Sequence, residues 1–79
     1  MTFKSTNQFK KRMKTIGKTI KQLRKKEHIT QTLLNEKTGI DRTYISRIEK
    51  GIANPSLKVM YALAKSLKKP ITYFLPKSL

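Results

Sequence analysis

The stretch TQTLLNEKTGIDRTYISRIEKG, residues Thr30–Gly51, reads as two short helices joined by a tight turn. Thr30 suits an N-cap, because its hydroxyl can accept from a first-turn amide that has no intrahelical partner. Leu33 and Leu34 supply the apolar face of the first of these helices. Gly39 stops it: in KTGID the glycine takes positive φ without steric penalty, Ile40 turns inward and Asp41 caps the next helix. The inner face of that next helix is Tyr44 or Ile45 with Ile48, and Gly51 ends it. Arg42 and Arg47 lie on this second helix, an arrangement that presents cations and hydrogen-bond donors to the edges of DNA bases.

Outward from this unit the pattern stays helical. Upstream, Phe9, Met13, Ile16, Ile20 and Leu23 recur at spacings of four and three, which predicts a helix starting somewhere in 9–15 and running to about Glu27. Gly17 inside it marks either a close helix approach or a later helix start, since glycine costs about 1 kcal/mol relative to alanine in a helix interior. Residues 1–12 read as a basic, partly mobile arm and 13–79 as one domain. Downstream, Asn54-Pro55 forces the chain out of helix, and Ser56 caps a segment with apolar Leu57, Met60, Leu63, Ala64 and Leu67. Pro70 closes that segment, Thr72 is placed to cap a last turn, Tyr73-Phe74-Leu75, and Pro76 ends regular structure. No stretch alternates with period two for long, so the expected fold is all-α, a compact bundle of five short helices.

Composition narrows the function. A chain of 79 residues builds one domain and buries about 60–65% of its unfolded surface, which leaves no room for a large active-site cavity. Nineteen Lys and Arg against four Asp and Glu give a formal charge of +15, which attracts polyanions, nucleic acid first and an anionic membrane surface second. Residues 1–28 hold ten of those cations, among them Lys4, Lys10, Lys11, Arg12, Lys14, Lys18, Lys21, Lys25 and Lys26, with Glu27 as their one acid. The run around the first helix reads as a solvated face that adds long-range attraction, and Lys4 to Lys14 as an arm that could follow a groove. With no cysteine there is neither a disulfide framework nor a thiolate metal site, and His28 has no second histidine to share a metal with. Four acids, one histidine and no cysteine form no acid–base pair or nucleophile constellation, so neither an enzyme nor a cofactor is expected. Apolar runs never exceed a few residues, so no transmembrane helix or signal-peptide core is expected and a cytoplasmic, nucleoid-associated protein fits.

Ile20–Leu23-Arg24, Thr30-Gln31, Leu34, Gly39-Ile40, Ile45-Ser46–Ile48-Glu49–Gly51, Asn54-Pro55-Ser56-Leu57 and Ala64–Leu67 together resemble the lambda-repressor-like helix-turn-helix class, the XRE family, over about residues 16–75. Within it, the run DRTYIS–IE resembles the controller proteins of restriction–modification systems, while phage repressors and plasmid regulators share most of the same positions. The resemblance implies that the helix after Asp41 enters the major groove of double-stranded DNA, with Arg42 and Thr43 in its first turn and Ser46 and Arg47 one turn on as base readers. Either arginine can donate bidentately to guanine O6 and N7, and Thr43 can offer its hydroxyl to a base or its methyl to thymine. Gln31 is implied as a backbone-phosphate anchor, Lys50 and the Ile52–Asn54 loop as phosphate contacts across the groove. Tyr44 is either a phosphate contact through its phenol or a half-buried packing residue, and Asn54 either a phosphate contact or a cap. Arg24 and Glu49 are implied as a structural ion pair between the first and third helices.

Three positions depart from the family pattern. Asn35 stands where the family places a small alanine, Thr32 and Leu33 replace the acidic residues that complete a capping box, and the charge is unusually positive for the group. The tail Tyr73, Phe74, Leu75 and Leu79 either closes the core or, with Leu67 and Ile71, forms part of a two-fold dimer contact, and both are compatible. The expected function is a sequence-specific transcriptional regulator that binds an inverted-repeat operator as a homodimer. An antitoxin or similar protein-interaction regulator with autoregulatory DNA binding is the alternative, and a charge-driven nonspecific binder of nucleic acid or membrane a third.

Overall fold

A computed structural model describes residues 6–75. The elements are α1 (Thr6–Lys26), α2 (Gln31–Thr38), α3 (Arg42–Glu49), α4 (Leu57–Ser66) and a single 3-10 turn, Ile71–Tyr73. The architecture is thus all-α, with four α-helices and one short turn where five helices are expected from the sequence. The 3-10 turn follows Pro70 and has no side-chain cap; Thr72 lies inside it instead of capping it. α1 begins at Thr6, earlier than its apolar spacing predicts, and takes in residues 6–12 that read as arm; residues 1–5 lie outside the described part. Lys and Arg are good helix formers and no glycine or proline interrupts the chain before Gly17, so a polar first turn can stay helical without burying anything.

The remaining caps form as their residue types dictate. The Thr30 side chain accepts from the Leu33 amide at 3.0 Å, that of Ser56 from Val59 at 3.2 Å, and that of Asp41 from Thr43 at 3.0 Å and Tyr44 at 3.4 Å. α1, α3 and α4 end in the same way. One residue turns left-handed (His28, Gly51 and Lys68), and the following amide reaches back to the carbonyl five residues earlier, as in Ile29 to Arg24, Ile52 to Arg47 and Lys69 to Ala64.

The core is one cluster of Ile20, Leu23, Ile29, Leu34, Ile45, Ile48, Met60, Leu63, Ala64, Leu67 and Phe74. Ile45 rather than Tyr44 points fully inward from α3, while Tyr44 packs half-buried against the cluster. Leu57 and Leu33, expected on apolar faces, are exposed, because each stands at the edge of its helix's inward stripe. Leu67 and Phe74 are 1% and 4% exposed in the single chain, so they close the core and offer no area to a partner, a correction to their expected place in a dimer contact.

Gly17 marks a close approach. A Cβ there would fall well inside contact distance of the Ile48 carbonyl oxygen and 2.8 Å from that of Glu49, so the backbones of α1 and α3 meet directly at this point. Asn35 is satisfied in place: its side-chain Nδ2 donates to the Ile40 carbonyl at 2.6 Å, and its backbone carbonyl accepts from the Gly39 amide at 2.7 Å. The amide that replaces a small residue therefore stitches the turn between α2 and α3, together with Thr38 Oγ1, which accepts from the Ile40 amide at 3.1 Å.

Candidate nucleic-acid interface

α3 has its buried face on Ile45, Ile48 and Glu49, which by helical periodicity leaves Thr43 and Arg47 on the opposite side, with Ser46 on the flank and Arg42 exposed in the first turn. These four, with Lys50 just past the helix and Gln31 at the start of α2, line one open concavity of about 360 Å³. Arg42, Thr43, Arg47 and Lys50 are exposed and Ser46 and Gln31 half-buried. The lining carries three cations and no acid, and offers donors of every reach from a hydroxyl to a guanidinium. The expected base readers and two of the expected phosphate contacts therefore share a single surface.

The other two do not. The Tyr44 phenol donates to the Asn54 carbonyl oxygen at 3.2 Å and its ring packs on the core. Neither residue lines the concavity; together they tie α3 to the loop ahead of α4. Of the two roles open to Tyr44, the structure favours packing.

Behind the concavity stands a buried polar cluster. Arg24 Nε donates to Glu49 Oε2 at 2.7 Å and Nη2 to Oε1 at 3.0 Å, a bidentate pair, while Nη1 donates to the Ile29 carbonyl at 2.9 Å. It is the one salt bridge among the described residues, with side chains 10% and 2% exposed. Gln31 Nε2 donates to the same Glu49 Oε1 at 3.0 Å. That third partner is not legible in the sequence, because Gln31 and Glu49 are eighteen residues apart and their approach depends on how α2 crosses α3. A carboxylate only accepts, so Gln31 has to turn its amino group towards Glu49, which leaves one N–H for a ligand. Among the described residues no group of three or more His, Cys, Asp or Glu could hold a metal ion, and no helix is long and apolar enough to cross a membrane.

The likenesses to known proteins fall on this same region. A helix-turn-helix family model matches residues 20–74. The immunity repressor protein of Bacillus phage phi105 is 42% identical over 53 residues, which is 67% of this chain and 37% of that protein. The chain thus spans little more than a third of the length of the first curated relatives it matches. Among solved structures, the restriction-modification controller protein C.AhdI of Aeromonas hydrophila superposes with a TM-score of 0.76 at 27% identity, covering 80% of this chain and 96% of that one. PlcR of Bacillus thuringiensis, in complex with the peptide PapR7 and DNA, gives 0.72 at 33% identity over 77% of this chain and 21% of its own. With the fold, the two-helix unit and the family match all on residues 20–74, the chain belongs to the lambda-repressor-like helix-turn-helix family.

Proposed function

We propose that the protein is a sequence-specific DNA-binding transcriptional regulator that places α3 in the major groove and binds an inverted repeat as a homodimer. The observation that carries this is the concavity in which Arg42, Thr43, Ser46 and Arg47 stand beside Gln31 and Lys50. The first group reads base edges and the second holds the phosphates that flank the groove. A phage immunity repressor and a restriction–modification controller among its relatives support a role as a repressor or controller of this kind.

The dimer contact falls on what the core leaves uncovered. Ile71, Tyr73 and Leu75 remain from the tail, and Leu75 shares an apolar cleft of about 280 Å³ with Phe9, Met13 and Leu57. Lys69 Nζ stands 4.8 Å over the Tyr73 ring, so Tyr73 belongs at the rim of such a contact and Leu75 at its centre.

Selection of bound duplexes from a random DNA pool tests the whole reading. The expected result is an enriched motif with two-fold symmetry and half-site centres about 34 Å apart. Recovery of unenriched DNA would overturn sequence specificity, and a single unrepeated half-site would overturn the dimer.

A further inference from the structure

On α1, Lys11, Lys14, Lys18, Lys21 and Lys25 follow one another at steps of three and four, and Lys10 stands four before Lys14, so the six form one stripe along a single face. All six are exposed. From Lys11 to Lys25 the stripe is about 21 Å long at 1.5 Å per residue. No acid occurs in Thr6–Lys26, and no salt bridge engages any of the six among the described residues. Such a face is unfavourable to the free protein: like charges at these spacings repel, and cations in the first turns oppose the helix dipole. A face that served solubility alone would mix signs.

The stripe is also placed beside the interface. Gly17, which abuts the Ile48 and Glu49 carbonyls, has Lys14 three residues before it and Lys21 four after, on the same helical row. A Cβ at Gly51 would lie 2.8 Å from Lys14 Cα, so α1 touches the chain directly after Lys50. The cationic surface therefore runs on from Lys50 in the concavity to Lys14 and along α1.

We propose that the lysine face of α1 is a second nucleic-acid contact, a sequence-independent seat for the sugar–phosphate backbone of the duplex that α3 reads. The inference rests on the DNA-binding function proposed above. Lysine suits the task, since its ammonium acts as a mobile point charge that follows a strand without selecting bases. A membrane surface fits less well, because the apolar side of α1 is spent on the core through Ile16, Ile20 and Leu23, and the exposed Phe9 lies on the side of the helix away from the lysines. Lys10, Lys11, Lys14 and Lys18 lie outside the residues that the family model matches, and Lys21 and Lys25 inside them.

The test compares two triple variants of equal charge on one random-sequence duplex titrated with salt. Lys14→Gln/Lys18→Gln/Lys21→Gln removes the centre of the stripe, and Lys37→Gln/Lys58→Gln/Lys65→Gln removes three exposed lysines elsewhere. Glutamine matches lysine in helix propensity, and matching far-UV circular dichroism verifies the folds. Each phosphate contact adds about 0.9 to the slope of log affinity against log salt, so the stripe variant should lose about two to three and the control less than one. Equal slopes in the two variants would overturn the proposal, as would a stripe variant that keeps the parental slope on DNA yet loses binding to phosphatidylserine vesicles. A parent that binds no duplex at all defeats the DNA-binding function itself, whereas a parent that binds with indifferent variants defeats only the stripe.

Discussion

At Gly17 an alanine would raise helix propensity by about 1 kcal/mol and at the same time drive a methyl group into the Ile48 and Glu49 carbonyls. Backbone atoms cannot rotate out of the way, so α1 and α3 have to separate, and overpacking of this sort costs about 1–3 kcal/mol. We expect Gly17→Ala to lower the denaturation midpoint in urea; a rise would mean that the helices do not meet there. His28 presents the opposite case. It holds φ at 57° in open solvent, a conformation that glycine adopts freely, so His28→Gly should stabilise by about 0.5–1 kcal/mol after the extra freedom of the unfolded chain is deducted. Thermal unfolding of the two variants would move in opposite directions. The sequence shows both residues inside or at the end of a helix, but only the packed structure gives the sign, because propensity is local and the Ile48 carbonyl is thirty-one residues away.

At the scale of the element, α3 is held by its two ends. Asp41 caps the beginning and Asn35 ties the turn before it, while Glu49, gripped by Arg24, anchors the end. The caps, the left-handed Gly39 and the Arg24–Glu49 pair are all legible in the sequence, since each is a short-range signal or a family position. The Gln31–Glu49 bond and the pairing of Tyr44 with Asn54 are not, because they depend on helix crossing angles that residue types do not encode. They alter what mutations mean. Glu49→Ala strands the Arg24 guanidinium, 10% exposed, and should destabilise the fold by about 3–5 kcal/mol, whereas the double exchange Arg24→Met/Glu49→Leu should restore most of that. If the double variant, though stable, still binds operator and scrambled DNA more weakly by the same factor, the loss lies in the orientation of Gln31. Arg42→Ala should differ in kind: it lowers operator affinity by about 1–3 kcal/mol and leaves scrambled DNA nearly unchanged. Gln31→Ala should weaken both alike. Parallel losses for Arg42 and Gln31 would remove Arg42 from the readers.

Across the whole molecule the difficulty is that each copy carries +15, so two copies brought together repel unless they meet where the charge is thinnest. The cleft of Phe9, Met13, Leu57 and Leu75 is such a place, with Arg12 its one ionic lining residue. Binding DNA removes the obstacle as well, because phosphates neutralise the outward faces while the apolar cleft remains free to pair. Leu57→Glu separates the two contributions. The side chain is 63% exposed and sits at the first position of α4, where a carboxylate is favoured by the helix dipole, so the single chain should keep its stability or gain slightly. In a dimer the same carboxylate is buried without a partner. Sedimentation should therefore show the monomer–dimer constant shifted by tenfold or more, about 1.4 kcal/mol, while the melting temperature of the monomer holds. On a full inverted repeat the variant should bind more weakly than the parent and with less cooperativity, yet on a duplex carrying one half-site the two should be indistinguishable. A variant that dimerises as the parent does would move the contact away from the cleft and onto Ile71 and Tyr73 alone.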